Sequence, residues 1–167
     1  MTVREVLQAA RDAAVEIRTL EEQAEIRRQL IGVQGHNNFE VHPKMGVLDP
    51  MRHVIDLMDW QDEIIDRGDL RAPIEEAFVL VKGISHICDG LTLEIITRYY
   101  LQGESWREIV DGYERDGEKM PPIEERTDAL KNVPRAKQFD LLKQAMSMAI
   151  EQWERIGIAH LKEMGNA

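Results

Sequence analysis

Cysteine is almost missing from this chain. Cys88 is the only one among 167 residues, so no intrachain disulfide forms, and the side chain reads as a small core residue in a cytosolic setting. No apolar run approaches the 18 residues a membrane span needs. The first residues, MTVREVLQAARDAAVEIR, lack the apolar stretch of a secretory leader, and no Asn-x-Ser/Thr acceptor occurs. Positive charge is also short: 21 Lys and Arg stand against 31 Asp and Glu, a net of −10 that disfavours a polyanion. Motifs of catalysis are missing too. There is no Gly-rich phosphate loop, no His-Glu-x-x-His, no Cys-x-x-Cys and no Gly-x-Ser-x-Gly. No chemistry, cofactor or metal is therefore expected.

What remains is a soluble helical composition, 31% charged and 43% hydrophobic, on a length that suits one core with an extended arm. The charge is unevenly distributed. Residues 1–118 carry 13 basic and 24 acidic side chains, whereas residues 119–167 carry 8 and 7. Any phosphate contact should come from the C-terminal third.

Apolar spacing predicts an almost all-α chain. Thr2 and Glu5 form a Ser/Thr-x-x-Glu capping box at the start of a helix reaching about Leu30. Val3, Val6, Ala10, Ala13, Ile17, Leu20, Ala24, Arg27 and Ile31 follow heptad spacing, which suits a long helix able to pair with another. Residues 32–49 break both periodicities and read as a hinge loop. His36 and His42 lie in it, too few for a metal site. Asp49 and Pro50 open a second helix with Met51, Val54, Ile55, Met58, Ile64 and Ile65 as its stripe. Gly68 and Pro73 interrupt it, and a third helix runs from Pro73 to about Cys88, burying Ala77, Leu80, Val81, Ile84 and Ile87. His53 and His86 sit on or beside apolar faces.

The most informative segment is Leu93 to Tyr113. Leu93, Ile96, Tyr100 and Leu101 share one helical face, Gly103 ends that helix, and Ser105 with Glu108 forms a second capping box. Trp106, Ile109, Val110 and Tyr113 supply the buried face of the helix that follows. The string RYYLQGESWREIV resembles the Arg-Tyr…Gly-x-Ser/Thr-Trp-x-Glu-Ile string of phage late-gene transcription regulators. These are proteins related to the promoter-reading C-terminal domain of bacterial sigma factors. Their layout is similar as well: a long N-terminal helix, a Gly-rich loop, a second helical region and the sigma-like segment. The resemblance implies an all-α fold with a helical arm or bundle over 1–90 and a helix-turn-helix-like segment over 91–167.

The resemblance also implies a phage-derived transcription regulator that binds DNA, or RNA polymerase. Ser105, Trp106, Glu108 and Ile109 would build the supporting helix. Arg107, Arg115, Arg126, Arg135, Lys137 and Lys143 would meet phosphates, and Gln138 a base edge. The chain departs from the family pattern over residues 114–134, an insertion before the last long helix. Two stretches therefore compete as recognition helix: Ile123–Lys131, which opens with Glu124 and Glu125, and the start of a helix Arg135–Glu163, which is favoured for its cations. A third reading is that the insertion has removed DNA reading.

The last helix has its own heptad seam, Phe139, Leu142, Met146, Ala149, Trp153, Ile156 and His160, open either to intrachain packing or to a homodimer. Two other functions compete with the regulator. One is a phage packaging or assembly adaptor acting by self-association. The other is a Mg²⁺-dependent all-α nucleotide pyrophosphohydrolase, whose EExxE…ExxD ligands resemble Glu21, Glu22 and Glu25 with Glu63 and Asp66.

Overall fold

The computed structural model describes residues 1–37, 68–115 and 117–166. It is mostly helical, with one two-stranded sheet among the described residues. The chain divides into two compact units, one of residues 1–15 with 71–167 and the other of residues 16–70. In this division the first turns of the N-terminal helix and most of the next described helix group with the C-terminal part.

Helix α1 spans Val3–Asn37, seven residues beyond the expected end at Leu30, so the expected loop begins inside it. The Thr2 capping box is present: the Thr2 amide donates to Glu5 Oε2 at 2.7 Å and the Glu5 amide to Thr2 Oγ1 at 3.2 Å. Val3, Val6, Leu7, Ala10, Ala13 and Ala14 form its buried face in the first unit. In the second unit Ala24 and Leu70 are buried. The expected helix from Asp49 lies outside the described residues, as do His42, His53, Glu63 and Asp66.

Helix α2 spans Gly68–Ile84 and carries Pro73 within it. Ala77, Leu80, Val81 and Ile84 are buried as their spacing predicts, whereas Ile87 lies past the helix end and is exposed. Helix α3 spans Gly90–Ile96 and is capped by Asp89, whose carboxylate accepts from the Thr92 amide at 2.7 Å. It continues as a π-helical turn, Thr97–Leu101. Thr97 Oγ1 donates back to the Leu93 carbonyl at 2.8 Å, the kind of bond that bends a helix.

Helix α4 spans Trp106–Asp111 and ends at Gly112, whose φ of +73° turns the chain into a hairpin. Tyr113, expected at the end of this helix, instead begins strand β1 (Tyr113–Arg115), which pairs antiparallel with β2 (Glu118–Met120). A short helix α5 (Ile123–Arg126) and a 3₁₀ turn (Asp128–Leu130) follow, divided by Thr127 in extended conformation. The expected single helix over Ile123–Lys131 is thus two short pieces.

The final expected helix is also two. Helix α6 spans Arg135–Ile156 and helix α7 Ile158–Asn166, with Gly157 at φ +96° between them. The seam of α6 is used inside the chain: Leu142, Met146, Ile150 and Trp153 are buried in a core shared with Leu7, Leu80, Ile95, Ile96, Ile109, Ile123 and Leu161. Ile156 and His160, assigned to that seam, are exposed: Ile156 is the last residue of α6, and His160 lies beyond the break at Gly157. Helix α7 lies against α2 at a glycine pair. A Cβ on Gly83 would stand 1.9 Å from the Leu161 carbonyl oxygen, and one on Gly165 would stand 2.0 Å from that of Val79. Lys162 and Glu76 close the same crossing with an ion pair at 2.6 Å.

Candidate nucleic-acid interface

The site is assembled around a buried ion pair. Arg98, in the π-turn, and Glu104, just before the α4 cap, are 1% and 0% exposed and meet at 2.8 Å. A charge this deep is stable only if its donors are satisfied. Arg98 Nε donates to Glu104 Oε1 at 2.9 Å, Nη1 to the Pro121 carbonyl at 3.1 Å and Nη2 to the Glu108 carbonyl at 3.3 Å. One side chain thus joins the π-turn, helix α4 and the exit from the hairpin. Arg11, from α1, donates to the carbonyls of Tyr99 and Glu104 and lies 3.7 Å from the Tyr99 ring centroid. Tyr99 stacks on Trp106 with centroids 4.6 Å apart. Gly103, at φ +70°, brings this turn against α1, where an added Cβ would stand 3.1 Å from Ala14 backbone.

The expected capping box of Ser105 and Glu108 is present. Ser105 Oγ accepts from the Glu108 amide at 3.1 Å, and Glu108 Oε1 accepts from the Ser105 amide at 3.0 Å. Ile109 is fully buried and Trp106 half-buried. Helix α6 packs against both α3 and α4. As the expected insertion over residues 114–134 implies, no recognition helix follows α4 directly among the described residues; the hairpin and α5 lie between it and α6.

The expected contact residues are not brought together as a set. Gln138 is a correction: it is 3% exposed, and its amide donates to the Val133 carbonyl at 2.9 Å and to Glu124 at 3.2 Å, so it cannot reach a base edge. Arg135 is held bidentately by Asp111, with both bonds at 2.6 Å, and its guanidinium lies 5.0 Å from the Phe139 ring centroid. These bonds hold the Asp111 carboxyl below the usual carboxylate range and raise Arg135. Arg107 lies 3.9 Å from the same carboxylate with its side chain 84% exposed. Arg115 sits on β1 opposite Glu118.

Arg126, Lys137 and Lys143 are exposed and make no ion pair among the described residues. At about 100° per residue, Lys143 lies about 80° round α6 from Arg135, and Lys137 about 120° further. Lys137 and Lys143 therefore lie on different sides of α6.

Nothing in the amino-acid sequence marks Glu104, Arg11 or Asp111 as part of this site. Only Arg98 left a signal, as a lone cation between Ile96 and the Tyr99–Tyr100 pair. Of the acidic residues behind the pyrophosphohydrolase reading, Glu21 and Glu22 are exposed and Glu25 half-buried on α1. Among the described residues no group of three or more His, Cys, Asp or Glu is placed to hold a metal ion, and no helix is long and apolar enough to cross a membrane. No protein-family model, curated protein or solved structure matches this chain.

Proposed function

We propose that this chain is a helical transcription regulator of the phage type, and that its sigma-like segment binds DNA. The reading is carried by α4. This helix is capped at Ser105, buries Ile109 and Val110 toward the core and turns Arg107 outward. Sequence resemblance supports the same assignment.

The burial pattern narrows the contact set. Gln138 leaves it. Arg135 becomes the brace that ties α6 to α4. Lys137 belongs to a different face of α6 from Lys143. Arg107, Arg126 and Lys143 remain as the phosphate-facing cations, and three contacts at a net charge of −10 make a weak, strongly salt-dependent interaction. The regulator role asks for no catalysis by the chain.

Fluorescence anisotropy with duplex DNA over a salt series tests this. Binding is expected to weaken linearly in log salt, and each of Arg107→Ala, Arg126→Ala and Lys143→Ala to lower the slope by about 1. Lys137→Ala should leave it unchanged. Absence of binding at low salt, or slopes indifferent to all three substitutions, overturns the proposal.

A further inference from the structure

The inward seam of α6 is spent on the core, but the helix carries a second stripe on its outer side. Lys137, Leu141, Gln144, Met148, Glu151 and Arg155 follow each other at alternating four- and three-residue steps, so they lie on one face. All six are exposed, Leu141 by 45% and Met148 by 61%. Two large apolar side chains two turns apart, flanked by Lys137 before them and by Glu151 and then Arg155 after them, are unlike the polar outer face of a solvated helix.

The order of these residues selects a partner. We infer that this stripe is a self-complementary surface on which a second copy of the chain docks antiparallel, with the two-fold axis at Gln144. In that register Leu141 meets Met148 of the other copy, and Met148 meets its Leu141. Lys137 falls beside the other copy's Glu151 at one end, and Glu151 beside its Lys137 at the other. Both ion pairs are of unlike sign.

The alternatives are disfavoured by charge. Parallel pairing sets every charge against its own duplicate. An antiparallel shift that aligns the two stripes end to end opposes Lys137 to Arg155 and Leu141 to Glu151. The patch holds only two apolar residues per copy, so the dimer is weak and forms at high protein concentration. It is separate from the phosphate-facing cations, since Lys143 lies about 120° round the helix from Lys137.

Sedimentation equilibrium on the full chain tests the association, and charge reversal tests the register. A concentration-dependent dimer is expected. Lys137→Glu alone and Glu151→Lys alone should each weaken it, by about tenfold or less for an exposed pair, and the double variant should restore it. In a Cys88→Ser background, Gln144→Cys should oxidise to a covalent dimer, while Ala136→Cys, about 100° round the helix from Lys137, should not. All the substituted residues except Cys88 are exposed, and circular dichroism verifies that each variant folds. A strictly monomeric chain at its highest soluble concentration, a larger ring, or a double variant no better than the singles overturns the inference. None of these outcomes decides whether a single copy binds DNA, which the Arg126 and Lys143 variants report at low protein concentration.

Discussion

Arg98 shows how much one side chain can determine. Buried at 1% exposure, it ties three segments through one carboxylate and two carbonyls. Removing its partner leaves an uncompensated charge in the core, and Glu104→Ala should destabilise the fold by about 3–5 kcal/mol. Replacing both, as Arg98→Met with Glu104→Leu, should cost less than the single change, because no buried charge then remains. Urea unfolding measures both, and a double variant worse than Glu104→Ala would reject the argument. Asp111 is a milder case on the surface. Its carboxyl is depressed chiefly by the hydrogen bonds from Arg135. A depressed acid contributes stability that is complete above its unfolded value, about 3.9, and is lost as pH falls through the folded value. Thermal melts should therefore drop below about pH 4, and Asp111→Asn should flatten that acid limb while lowering stability slightly at neutral pH.

At the level of elements, local preference and tertiary contact pull in opposite directions at Gly83. A glycine inside a helix costs about 1 kcal/mol relative to alanine, so α2 alone would gain from Gly83→Ala. The added methyl would meet the Leu161 carbonyl at 1.9 Å, however, and backbone cannot rotate out of the way. Overpacking of this kind costs about 1–3 kcal/mol or more, so the net effect is destabilising. A raised melting temperature for Gly83→Ala would show that α7 does not sit as closely on α2 as described. The Ser105 cap offers a cleaner test, since its bond is local: Ser105→Ala should cost about 1 kcal/mol and fray α4.

For the whole molecule, the two proposals combine into one measurable consequence. The salt slope of DNA binding scales with the number of phosphates neutralised. At protein concentrations high enough for the dimer to form, a duplex meets two sets of Arg107, Arg126 and Lys143. There Leu141→Glu with Met148→Glu should roughly halve the slope without removing binding, whereas at low concentration, where the chain is monomeric, the slope should stay the same. Salt titration of the anisotropy signal checks this, and an unchanged slope at high concentration separates self-association from DNA contact. Light scattering of the parent chain that shows nothing larger than a dimer decides against a ring-forming assembly adaptor.

Much of this architecture was legible in the chain itself. Both capping boxes, the stop at Gly103, and the buried faces of α1, α2 and α4 follow from spacing and short-range hydrogen bonding, which act over one or two turns. What spacing could not reveal is where a periodic face finds its partner. The seam of α6 reads alike whether another copy or its own core covers it, and only the fold decides that it is covered from within. Gln138 looks like a base reader because a polar residue near a helix start is ordinarily wet; burial under Val133 and Glu124 makes it structural. Arg98 and Glu104 lie only six residues apart, yet nothing local announces that both are dry. Periodicity acts within an element and is written in the residues, whereas burial is a property of what lands on it, and that is set by contacts between segments far apart along the chain.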